Sequence, residues 1–131
     1  MAWSCKNCKH YSVKMKSSKP KKQRIMQKKA SLHIKGKMLG CHLSDDLKKK
    51  YDKRSIRVRK GDKVKVMSGQ FKGKTGKVEE VNVKNSKIYV NGVEYQKKEG
   101  TKIKMPIHAS NVMITELNLE DKKRQEILKR K

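Results

Sequence analysis

Residues 67–78 read Met-Ser-Gly-Gln-Phe-Lys-Gly-Lys-Thr-Gly-Lys-Val, a loop with three glycines (Gly69, Gly73, Gly76) in eight residues. Glycine lets the backbone adopt positive φ and approach a neighbour closely. Between the glycines stand one aromatic, Phe71, and the cations Lys72 and Lys74, with Lys77 just beyond. Apolar residues alternate on both sides, Val64 and Val66 before the loop and Val78, Val81 and Val83 after it. That period is the signature of half-buried strands. The segment therefore predicts a cationic, glycine-shaped tip joining two strands, and a nucleic-acid backbone is the partner that suits it best.

Charge narrows the partner further. The 131 residues hold 37 Lys+Arg against 12 Asp+Glu, a formal net charge of +25. Like charge at this density destabilises a compact monomer through self-repulsion, so a polyanion is expected to neutralise it. Nucleic acid ranks first and an anionic membrane surface second. Residues 1–44 contain twelve Lys or Arg and no carboxylate before Asp45. Hydrophobic residues make up 34%, below the roughly 45–50% usual for globular chains. A small core is expected only after about residue 54, with the first third extended until a partner orders it. No apolar run reaches the roughly 18 residues of a membrane span, and no apolar signal region follows Met1. Three cysteines without such a signal fit a reducing compartment, so a cytoplasmic location is expected.

Along the chain, Pro20 suits a helix first turn, and short helices are expected over residues 21–29 and 32–39. Ser44-Asp45-Asp46 is an N-cap followed by acids that favour the helix dipole, predicting a helix over residues 45–51. Five or six short strands follow. Glu79-Glu80 breaks the alternation as a bulge, Asn85-Ser86 turns a hairpin, and Glu99-Gly100 makes a further turn. Asn91-Gly92 fits either a tight hairpin or a bulge within one longer strand, and the parity shift across it favours the bulge. Val112 and Ile114 are expected to face inward from the last strand. This pattern describes a small barrel. Asn118 is the expected N-cap of a final helix over residues 120–130, with Glu120–Arg124 and Glu126–Arg130 pairs, lying on something other than its own core.

From Gly61-Asp62-Lys63-Val64-Lys65-Val66 through Gly76-Lys77-Val78 the segment resembles a KOW motif, the strand–loop–strand of SH3-like barrels. Further blocks extend the likeness: Lys19-Pro20-Lys21-Lys22-Gln23-Arg24, Leu43-Ser44-Asp45-Asp46-Leu47-Lys48-Lys49-Lys50-Tyr51, Arg54-Ser55-Ile56-Arg57-Val58-Arg59-Lys60, Pro106-Ile107-His108-Ala109-Ser110-Asn111-Val112-Met113-Ile114 and Leu117-Asn118-Leu119. Together they resemble the archaeal and eukaryotic form of the universal large-subunit ribosomal protein L twenty-four family (L twenty-six in eukaryotic naming). The likeness runs from about Met15 to the C-terminus, in the archaeal form. It sets residues 1–14 apart as an additional N-terminal segment. The division it implies is an RNA-binding arm over 15–54, a mostly β, SH3-like KOW barrel over 55–116 and a C-terminal helix over 117–131. The resemblance also implies binding of large-subunit ribosomal RNA in its 5′ domain, near the peptide exit tunnel, and a part in early subunit assembly. Neighbouring ribosomal proteins would be partners, with nascent chains or targeting factors at the tunnel exit. A homo-oligomer is not expected.

Candidate RNA contacts on the arm are Lys16, Lys19, Lys21, Lys22, Arg24, Lys28, Lys29, His33, Lys35 and Lys37. Arg54, Arg57 and Arg59 are candidates for two-pronged phosphate contacts, with Lys60, Lys63 and Lys65 beside them. In the loop, Ser68, Gly69, Gln70, Phe71, Lys72, Gly73, Lys74 and Thr75 are candidates, their backbone N–H groups cradling phosphates. Phe71 either stacks on a base or plugs the barrel end. Lys84, Lys87, Lys104 and His108 complete the set; for His108 the ordinary reading is a hydrogen-bonding loop histidine. A-form RNA hides its major groove, so contacts to phosphates, 2′-hydroxyls and loops are expected. Cys5-x-x-Cys8 with His10, and Cys41-His42, offer zinc-type ligands without a recognised second spacing, so no metal or other cofactor is expected. No acid–base or nucleophile–base pair stands out, so no enzyme is expected. The alternative is a KOW-containing transcription elongation factor docking on RNA polymerase; it needs a companion α/β domain that residues 1–54 cannot build.

Overall fold

The computed structural model describes residues 17–130. Lys16, the 1–14 segment and its Cys5, Cys8 and His10 lie outside the described residues.

Two helices open the described chain, α1 (Pro20–Lys29) and α2 (Leu32–Met38). Pro20 occupies the first turn of α1, where its missing N–H costs nothing. α1 buries none of its residues, whereas α2 turns Ile34 and Gly36 inward. Next comes β1 (Gly40–Leu43), a strand the sequence reading does not foresee. Its alternation is short but complete: Leu39, Cys41 and Leu43 are fully buried while Gly40 and His42 face out. Fully burying a Leu contributes roughly 1.5–3 kcal/mol. The core thus begins well before residue 54, because so short a strand suffices once two neighbouring strands receive it.

α3 (Asp45–Tyr51) forms where expected. The Ser44 side chain makes no capping bond, however; its carbonyl accepts from the Lys48 N–H at 2.9 Å. Then follow β2 (Ser55–Arg57), β3 (Lys63–Val66), β4 (Thr75–Asn82), β5 (Lys87–Val90), β6 (Glu94–Gln96), β7 (Lys102–Lys104), β8 (Ile107–His108), a 3-10 turn (Ala109–Asn111), β9 (Val112–Glu116) and α4 (Lys122–Lys129). The architecture is mostly sheet with a few helices. Seven strands run in the order β2-β1-β9-β3-β4-β5-β8, and β6-β7 make a separate pair. All neighbours are antiparallel except β1 and β9. The sheet curves until its far end returns toward β1: the Cys41 thiol donates to the Ala109 carbonyl 3.1 Å away. The result is a small, barrel-like domain. Its interior is built from Val64, Val66, Val78, Ile88, Val90, Val112 and Ile114, each at most 1% exposed.

The β4–β5 ladder shifts register between Val78 and Glu80, the bulge that Glu79-Glu80 predicts. Asn91-Gly92 is neither a bulge in one strand nor a hairpin pairing its flanks. Gly92 sits at φ +79° and the Val93 N–H closes back on the Val90 carbonyl at 3.2 Å. This turn buries Val93 and sends β6 away to pair with β7. At the C-terminus the cap is Asp121, not Asn118: the Asp121 carboxylate accepts from the Lys123 N–H at 2.9 Å. α4 also lies on its own barrel. Arg124 and Leu128 are buried, and Leu128 joins the core. Arg124 does not pair with Glu120. It grips Asp62 on the turn before β3, with both Arg124–Asp62 bonds at 2.7 Å.

Candidate nucleic-acid interface

The first two helices present a dense set of cations. Lys19 precedes α1, which carries Lys21, Lys22, Arg24, Lys28 and Lys29, all exposed. α2 carries His33, Lys35 and Lys37, and His33 Nε2 lies 3.5 Å from Ser31 Oγ. Among the described residues before Asp45, no Lys or Arg stands within ion-pairing distance of a carboxylate. The cause is in the sequence, since Asp45 is the first acid. Only from α3 onward does the arm carry its own pair, Lys48 with Asp45 at 2.8 Å.

The barrel's cations are used differently. Arg59 pairs with Asp121, Lys63 with Glu116 at 2.8 Å, and Lys104 with Glu79 at 2.5 Å. The Glu79 hydrogen bond and charge raise the Lys104 pKa, locking in its positive form. Such exposed pairs contribute little to stability. Lys60 and Lys65 stay exposed beside them, and Arg54 uses its carbonyl to hold the Leu43 N–H at 3.1 Å. Arg57 lies across α2, its guanidinium over Gly36; a Cβ there would stand 2.9 Å from Nη1. The buried glycine thus lets the exposed Arg57 bring its guanidinium close against α2.

In the loop, Gly69 and Gly73 adopt φ of +94° and +88°, the conformations glycine was expected to supply. Gly76 serves for close approach instead, with a Cβ there running into the Asn91 carbonyl. Three of the loop's N–H groups are already taken by backbone carbonyls. Lys72 donates to Gly69, Gly73 to Val66 and Lys74 to Phe71, at 3.1, 2.8 and 3.2 Å. These three N–H groups therefore do not form the expected phosphate cradle. Side chains remain on the outside: Ser68, Gln70, Lys72, Lys74 and Thr75 are exposed. Phe71 is half-buried against the core, with Lys74 Nζ 5.0 Å from its ring centre, which favours the plug.

Around the β4–β5 turn, Lys84 is exposed, and Lys87 stands opposite His108 in the β5–β8 ladder. His108 Nδ1 accepts from the Ser110 N–H at 3.3 Å and meets Ser110 Oγ at 2.9 Å, so it is the hydrogen-bonding histidine expected. The structure brings the arm and this turn together: Arg24, Lys28, Lys35, Lys84 and His108 line one groove of about 830 Å³. The glycine loop does not contribute to it. Two features had no signal in the sequence. One is the thioether lining of the groove, Met26 and Met38. The other is the Asp62–Arg124 anchor, whose partners are 62 positions apart.

No helix among the described residues is long and apolar enough to cross a membrane. The described residues include no cluster of three His, Cys, Asp or Glu able to hold a metal. Burial, with the nearby Asp62 charge, pushes the Cys41 thiol up to about 12, which makes it a poor ligand.

Residues 17–131 match the family of ribosomal proteins described as L26 in eukaryotes and as the L twenty-four type in archaea. The chain belongs to this family. Among its relatives is the large ribosomal subunit protein uL24 of Methanosphaera stadtmanae, 45% identical over 115 residues, covering 88% of this chain and 98% of the relative. The protein of the same name from Methanospirillum hungatei is 47% identical over 116 residues, covering 88% and 97%. That of Korarchaeum cryptofilum is 44% identical over 119 residues, covering 91% of each.

Proposed function

We propose that this chain is a structural, non-enzymatic component of the large ribosomal subunit that binds large-subunit ribosomal RNA in the cytoplasm. The single observation that carries the RNA reading is the start of the arm: over residues 17–44 the lysines and arginines have no carboxylate partner among the described residues, which leaves them for an outside anion. The relatives' names supply the assembly in which RNA would be that anion. In this reading the curved sheet is an SH3-like barrel and 61–78 its KOW unit. The barrel holds two cationic elements, arm and loop, against RNA phosphates. By family likeness the site lies in the 5′ domain near the tunnel exit, beside neighbouring ribosomal proteins, and the protein enters early in assembly as a single copy. The relatives' names favour this over an elongation factor.

The test is binding of the full-length protein to a 5′-domain fragment of archaeal large-subunit RNA across salt. With about 6–10 phosphate contacts, affinity falls about 10³–10⁵-fold between roughly 50 and 200 mM salt. A change of less than about tenfold contradicts the phosphate mechanism. Substitution is the way to probe the arm, because deleting residues 15–43 would remove β1 and with it the core side chains Leu39, Cys41 and Leu43.

A further inference from the structure

Two of the open grooves among the described residues are of similar size, and their charge separates them. The larger, about 960 Å³, sets Lys60, Lys77 and Lys104 against Glu79, Glu80 and Glu120. It is balanced, and Lys104 is already held by Glu79. The other, about 830 Å³, carries Arg24, Lys28, Lys35 and Lys84 and no carboxylate. An anion is drawn to the second.

This groove is more than a basic patch. Met26 and Met38, both half-buried, line it together with the cations. Thioethers are polarizable and contact aromatic rings favourably. At the rim, Asn85 supplies an amide, and Ser86 is held at φ +53° in the β4–β5 turn. His108 adds an imidazole, its Nδ1 held 3.3 Å from the Ser110 N and 2.9 Å from Ser110 Oγ. Cations, a soft apolar lining, an amide and an imidazole in one groove match the parts of a nucleotide. The volume falls in the roughly 300–1,000 Å³ range of small-ligand sites. A paired base offers its flat face to its neighbours in the stack, so only an unpaired one can enter.

We propose that the groove between α1, α2 and the β4–β5 turn receives an unpaired nucleotide of the bound RNA. Its base lies on Met26 and Met38, and its flanking phosphates meet Arg24, Lys28, Lys35 and Lys84. This rests on the RNA-binding reading and adds to it a choice of structure: the protein prefers an interrupted helix to a continuous one.

The experiment compares the full-length protein binding a blunt RNA duplex and the same duplex carrying a single-nucleotide bulge. Wild type is expected to favour the bulged RNA about tenfold, the scale of one well-packed base. Met26→Ala and Lys84→Gln each reduce that preference toward unity. Lys84→Gln is at an exposed turn and leaves the fold intact, so its loss of preference cannot come from unfolding. A 4-thiouridine at the bulge crosslinks to peptides containing Met26, Met38 or Lys84. Equal affinity of wild type for the two RNAs overturns the groove proposal while leaving RNA binding in place. So does a preference unchanged in both variants, or crosslinks confined to the 69–76 loop. Failure to bind either RNA overturns the RNA reading itself, and the groove proposal with it.

Discussion

α1 and α4 are both short, basic helices, and they are held in opposite ways. α4 begins at a true cap, Asp121, sinks Leu128 into the core and locks Arg124 onto Asp62. Asp62 is also fully employed from the other side, accepting the Arg59 N–H at 2.8 Å and the Asn118 N–H at 2.9 Å. α1 has no side-chain cap, no acid in its first turn and no buried residue. A helix this short is marginal alone in water. The comparison separates two uses of positive charge in one small protein. Where the chain supplies a carboxylate, the cation builds the fold; where the described residues supply none, the cation stands without an ion pair.

Breaking the anchor of α4 should have the largest effect. Asp62→Asn leaves Arg124 buried without its counter-charge and should cost about 3–5 kcal/mol in urea unfolding. Arg24→Gln or Lys28→Gln in α1 should change stability by less than about 0.5 kcal/mol in the same measurement. Equal losses in the two helices would erase the contrast. Gly76→Ala comes next. Its Cβ would press on the Asn91 carbonyl and stand 2.8 Å from Val90 Cγ1, an overpacking of about 1–3 kcal/mol.

Asp121→Asn sharpens the comparison through pH. Desolvation pushes the Asp121 pKa up, but the Lys123 N–H and the Arg59 bond outweigh it and hold the carboxyl below its ordinary value. A lowered folded-state pKa contributes stability above the unfolded value, near about 3.9, and loses it as pH falls through the folded pKa. Asp121→Asn should therefore flatten the acid limb of the stability curve and leave α1 variants unaffected there. The smallest effect is on Cys41. Its thiol, pushed up to about 12, should resist iodoacetamide in mildly alkaline buffer in the folded protein and react only after unfolding, as read by peptide mass spectrometry.

Much of this was legible in the sequence where the signal is local. Alternating valines on both sides of the glycine loop announce β3 and β4, and the doubled Glu79-Glu80 announces the bulge in the β4–β5 ladder. Pro20 and the Asp45-Asp46 pair mark helix starts. β1 was hidden because Gly40-Cys41-His42-Leu43 has only two inward positions, inside a segment dominated by charge. Its stability comes from pairing with β2 and with β9, the latter distant in sequence. Asn118 resembles a cap by spacing, yet its backbone N–H is taken by Asp62 and the helix caps instead at Asp121. The cationic site residues were readable from composition, but not their assembly into one groove. That depends on α1 and α2 meeting a turn far along the chain, and nothing in Met26 or Met38 distinguishes a groove lining from ordinary helix filler.

Amide hydrogen exchange on the full-length protein in low salt, with and without the 5′-domain RNA fragment, tests the division of charge most directly. Without RNA, amides of α4 and of β3, β4 and β9 should be strongly protected while those of α1 exchange fast; RNA should slow α1 and leave α4 unchanged. If α1 is as protected as α4 in the RNA-free protein, the arm holds itself and its cations need no outside anion.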